Sequence, residues 1–235
     1  MKKKSMIAIV IELLVSWFLL KHFCHQDLKV LGFYAKGKPL FLSLVVPMFY
    51  LVILYLGIAY LVENPYKFNP EYTLGDFFRS LYYVSKAVIF EELIFRGALL
   101  YILVSRYGKT KAAFITAIAF GVYHWFSYGI IGHSFEMLKV FISTGVFGYL
   151  LARICIKTGK IIFPIALHFA YNFTTMVVFS KEKNIGLQLL IKAHAVDPVR
   201  PEGIFPLFVV VIYYVGFPVL CYIFLKSLKN TNGWS

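Results

Sequence analysis

The chain has 235 residues, 60% of them hydrophobic and 15% charged, with a mean hydropathy of +0.75 and a formal net charge of +13. Soluble domains are about half apolar and about a quarter charged, so this composition excludes an ordinary soluble domain and points to a polytopic membrane protein. The basic residues lie in short loops between apolar runs, with no basic stripe and no RNA-binding motif. They read as contacts to lipid headgroups, and no nucleic-acid partner is expected.

In chain order, apolar runs fall near 6–23, 40–62, 80–104, 112–131, 136–152, 160–180 and 203–225. Each is about the length a membrane helix needs. They predict an all-α, polytopic transmembrane helix bundle of about seven spans, forming a single transmembrane domain over 1–235. The segment 184–196 is too short to span and is expected as an interfacial or re-entrant helix, which makes eight elements. Strands are not expected, because the runs are continuous and an open sheet cannot sit in lipid. The first run follows a basic start, as in a signal peptide. However, no small-residue cleavage site follows, and Lys21, His22 and Phe23 before Cys24 are too bulky for lipoprotein processing. An uncleaved first span is therefore expected. The stretch from Asn69 is expected to begin as a helix in the interface, with Arg79 at headgroup level. Loop cations divide almost evenly between the two faces, so orientation stays open. Cys24, Cys155 and Cys221 are far apart, form no CxxC pair and read as buried apolar thiols.

Ionisable groups at membrane depth are costly and count as functional candidates. The run "VIFEELIFRGALLY" (88–101) holds Glu91, Glu92 and Arg96. On a helix, residues four apart share a face, so Glu92 is expected to pair with Arg96. Glu91 points about 100° away, toward a cavity where burial and the neighbouring carboxylate suit it to general-base work. His168 and Asn172 in "HFAYN" are also four apart and can together donate hydrogen bonds to an oxyanion. His124 comes from a third run. His22, His25, His133 and His194 read as loop residues, and Glu12 is expected to make an interhelical hydrogen bond.

These groups allow two schemes. Glu91, His124 and His168 can ligate a divalent metal such as zinc, leaving a position open for water. Alternatively, Glu91 and His124 polarise a water directly while His168 and Asn172 clamp the oxyanion. Both hydrolyse an acyl bond without a serine or cysteine nucleophile, and HExxH is absent. Buried Glu and His also relay protons in transporters, but the sequence shows no inverted repeat or paired broken helices.

"EELIFR" (Glu91 to Arg96) reads as EExxxR, "FGVYH" (Phe120 to His124) as FxxxH, and "HFAYN" as HxxxN. In this order, each on an apolar span, they resemble the CPBP family of CAAX prenyl proteases and bacteriocin-processing enzymes, also called Abi. The resemblance covers roughly 80–180, the expected catalytic core. It implies a multi-helix intramembrane endopeptidase. Glu91 and His124 would activate the water, His168 and Asn172 would stabilise the oxyanion, and Glu92 and Arg96 would support the site. The family is often called metalloprotease, and a glutamate-dependent mechanism without catalytic metal is also argued. The metal-free scheme is favoured, because a histidine paired with asparagine makes a good oxyanion donor. The resemblance further implies a peptide or protein substrate, possibly lipidated, in contact with membrane lipids. The modest length points to the cell membrane of a bacterium. Some members act as non-catalytic immunity or scaffold proteins, which is the alternative. Retention of all three motifs favours an active enzyme.

Overall fold

A computed structural model describes residues 2–179, 185–229 and 233–234. Its helices are α1 (Lys2–Cys24), α2 (Lys38–Leu61), α3 (Leu74–Arg96), α4 (Ala98–Tyr107), α5 (Lys109–Ser127), α6 (Ser134–Thr158), α7 (Ile162–Phe173), α8 (Phe205–Val211) and α9 (Phe217–Ser227). Wider π turns extend α7 over Thr174–Val178 and join α8 to α9 over Ile212–Gly216. The fold is mostly helical, as expected, and the chain is an integral membrane protein. Among the described residues, four helical stretches are long and apolar enough to cross a membrane: Ile7–Cys24, Lys38–Leu61, Ser134–Thr158 and Phe205–Ser227.

The run 80–104 is not one helix. It breaks at Gly97, whose ψ of −135° is not helical and where a Cβ would run into the Leu93 carbonyl. The start of α3 is set by Thr73 and Asp76. The Thr73 hydroxyl accepts from the Asp76 N–H at 3.2 Å, and the Asp76 carboxylate accepts from the Thr73 N–H at 3.1 Å and its hydroxyl at 2.6 Å. This reciprocal capping box satisfies donors that a helix start leaves open.

The chain packs as two compact units. The first comprises 1–40, 89–165 and 218–235. Its core gathers Leu93, Leu100, Val104, Ala113, Ala152 and Cys155. Here α5 and α6 run antiparallel, joined by a loop that turns at Gly129 and Gly132, both at positive φ. Small residues let the two backbones approach: a Cβ on Gly121 would come within 2.7 Å of Phe141, and one on Gly148 within 2.9 Å of Phe120. Near the end of the chain, Trp234 lies against Tyr101 and donates its indole N–H to the Val30 carbonyl at 3.0 Å.

The second unit comprises 41–88 and 166–217. It contains a ribbon that the sequence reading did not expect. Strands β1 (Tyr66–Phe68) and β2 (Leu190–Lys192) pair antiparallel, with Tyr66 opposite Lys192. The expected helix over 184–196 is thus replaced by a strand and turns, with Asn184 outside the described residues. The reason is local. Pro65 and Pro70 bar a helix between them, and the exposed backbone finds partners in the other loop. Asn64 fastens the ribbon, donating to Asp197 Oδ1 at 2.8 Å and to the His194 carbonyl at 3.0 Å. Asn69 donates to the Gln188 carbonyl at 2.9 Å. Tyr55 stacks on Phe179, with Tyr66 edge-on to the same ring.

Candidate active site

The last turns of α3 carry the charged residues. Arg96 and Glu92 are fully buried at 0% exposure, and Arg96 Nη1 donates to Glu92 Oε1 at 3.1 Å. This is the pairing that four-residue spacing predicts. The pair is also embedded in tertiary structure. Arg96 Nη2 donates to the Gly148 carbonyl on α6 at 3.1 Å, and the guanidinium lies 4.2 Å from the Phe120 ring centroid on α5. A charge at full burial needs such partners, since desolvation of an ion is costly by several kcal/mol. Arg96 therefore ties α3 to both α5 and α6.

Glu91 faces His124, with Oε2 4.0 Å from Nε2 and only 15% and 7% of the side chains exposed. That separation is too long for a direct hydrogen bond. His124 Nδ1 lies 2.8 Å from the Phe120 carbonyl. A carbonyl only accepts, so Nδ1 carries a proton, and Nε2 is the nitrogen that faces Glu91. The rings of Phe120, Tyr123 and Tyr128 surround His124 at centroid distances of 4.5, 5.3 and 5.2 Å. The carboxylate and the imidazole thus face one another in a confined, aromatic setting.

In the second unit, Asn172 Nδ2 lies 3.1 Å from His168 Nε2, and His168 is 3% exposed. The two side chains are thus held together within one turn of α7. The sequence reading expected the two to share a face through their four-residue spacing, and they are in contact.

Two partners were missed in the sequence. Gly148 serves through its carbonyl, and no side chain announces it. Phe120 was noted as the first letter of a motif, yet it does two jobs: its ring covers Arg96 and its carbonyl orients His124. Of the Glu12 carboxylate, the buried Oε2 makes no hydrogen bond among the described residues. His22 belongs to the last turn of α1 and stacks on Phe18, so it is not a loop residue.

Within neither unit, among the described residues, do three or more His, Cys, Asp or Glu side chains gather to hold a metal ion. His168 Nε2 is engaged by Asn172, and His124 Nδ1 by a carbonyl.

Residues 73–174 match the family model of the type II CAAX prenyl endopeptidases, Rce1-like. The matched segment begins at the capping residue Thr73 and contains all three motif positions. Comparison with curated proteins and with solved structures gives no match.

Proposed function

We propose that this chain, whose residues 73–174 match the Rce1-like family model, is a CPBP/CAAX-type intramembrane endopeptidase that hydrolyses a peptide bond with an activated water. The observation that carries the proposal is the opposition of Glu91 Oε2 and His124 Nε2 across 4.0 Å. A water held there gives one proton to each acceptor and turns its lone pair outward. As its oxygen attacks the scissile carbonyl, Glu91 takes the proton. His168 and Asn172 stabilise the oxyanion by donating hydrogen bonds to it. Collapse of the intermediate expels the amine, which receives the proton from the Glu91 carboxylic acid. Arg96 neutralises Glu92 and leaves Glu91 as the working carboxylate. No step is routed through a metal.

The proposal extends to the setting. The chain forms one transmembrane domain over 1–235 with its catalytic core near 80–180. Spans beyond the four long helices bring the number to seven or eight. The protein resides in a bacterial cell membrane, and its substrate is a membrane-associated peptide or protein carrying a lipid.

Purified wild type and Glu91→Ala, each incubated with fluorogenic peptides with and without a prenyl group, test this reading. Cleavage by wild type alone supports it, and cleavage by both overturns the role of Glu91. Loss of cleavage with a chelator would replace the metal-free route by a metal-dependent one. If Glu91→Gln preserves the cellular phenotype, the non-catalytic immunity or scaffold reading takes its place.

A further inference from the structure

We propose that the cavity at the Lys109 end of α5 binds the phosphate headgroup of an anionic phospholipid. It has a volume of about 580 Å3, and its walls include Lys109, Arg153, Lys157 and Lys226 together with Tyr149 and Tyr222. All belong to the first unit. They come from the start of α5, the last turns of α6 and the last two turns of α9. Neither α5 nor α9 contains an Asp or Glu, and the one carboxylate of α6, Glu136, lies in its first turn. That is ~30 Å along the helix from Lys157. Four cations therefore share a cavity whose lining, among the described residues, contains no carboxylate.

The walls are built rather than incidental. Lys157 Nζ donates to the Leu225 carbonyl at 3.0 Å and so joins the ends of α6 and α9. Arg153 Nη1 donates to the Tyr149 hydroxyl at 3.0 Å, and Lys226 lies over the Tyr222 ring. The site is also amphiphilic in the right order. Its cations stand at the ends of two membrane-length helices, where headgroups lie. Leu225 and Ile156 line the cavity, and Ile223, on the same helix as Leu225, presents an exposed apolar surface to acyl chains. A soluble phosphate uses the charge but not that apolar surface. The cavity is distinct from the candidate active site, since His124 is fifteen positions farther along α5, ~22 Å away.

The inference rests on the chain being a membrane protein and not on proteolysis, so its test is a binding measurement. The full chain in neutral detergent would be equilibrated with equal amounts of phosphatidylglycerol and phosphatidylcholine, and retained lipid read by native mass spectrometry. Wild type is expected to retain phosphatidylglycerol in preference. Lys109→Ala and Lys226→Ala, both at exposed positions, should each lower that retention by about fivefold. Lys226→Arg should keep it. Lys111→Ala, which removes a cation of the same helix start outside the cavity, should leave it unchanged. Equal retention of the two lipids would overturn the proposal, as would an equal loss in Lys111→Ala. Displacement of the lipid by inorganic phosphate would assign the site to soluble anions instead.

Discussion

On α3 the charged side chains are tied across helices, Glu91 facing His124 on α5 and Arg96 reaching Gly148 on α6. On α7, His168 and Asn172 bond each other within a single turn. The first arrangement merges stability with chemistry, because a fully buried guanidinium depends on partners from several elements. The second keeps them apart, because an i, i+4 hydrogen bond at membrane depth contributes modestly, ~0.6 kcal/mol on average. Substitutions on α3 should therefore separate into those that stop catalysis and those that unfold, whereas substitutions on α7 should act on rate alone.

The largest effect is expected at Glu91. Glu91→Gln should lower peptide-cleavage kcat/KM by about 10²–10⁴-fold with folded yield intact; a variant that instead fails to fold would move Glu91 into the structural class. Arg96→Met should cost about 3–5 kcal/mol, because Glu92 is left buried without its counter-charge. Pairing it with Glu92→Gln should recover most of the loss. Thermal unfolding in detergent reads both, and an equally unstable double variant would refute the ion-pair account. Asn172→Ala should reduce cleavage about 10²-fold at unchanged thermal stability. A parallel fall in stability would erase the contrast between α3 and α7.

Gly148→Ala sharpens the same contrast through packing. The added methyl would stand 2.9 Å from Phe120 and 3.2 Å from Arg96 Nη2, and overpacking of this kind costs about 1–3 kcal/mol. An unchanged melting temperature would show that the Arg96–Gly148 contact has slack. The smallest effect lies at the start of α3. Thr73→Ala should cost about 1 kcal/mol of stability. The Thr73 hydroxyl and N–H, helped by Arg79, hold the Asp76 carboxyl below its ordinary value of 3.8. A carboxylate lowered in the folded state contributes stability above its unfolded value and loses it as pH falls through the folded one. The capping contribution should thus be complete at neutral pH and fade below about pH 3.8. A Thr73→Ala penalty that is the same at pH 3 and pH 7 would contradict the capping box.

Composition alone determined that this chain lives in a membrane, since water cannot tolerate so much apolar surface on so few charges. Helical periodicity determined the two local pairs, Glu92 with Arg96 and His168 with Asn172. It also determined that Glu91 could not share its neighbour's partner. These relations hold within about one turn of helix, where spacing in sequence is spacing in space. Tertiary structure decided the rest. It set His124 opposite Glu91, put the Gly148 carbonyl against Arg96 and gave Phe120 two tasks. It also broke the third apolar run at Gly97 and turned an expected interfacial helix into a strand. The Gly148 and Phe120 carbonyl contacts have no sequence signal, because a backbone carbonyl is the same group in every residue. Which one lies beside a given charge depends on how the helices register against each other, and helical periodicity does not encode that.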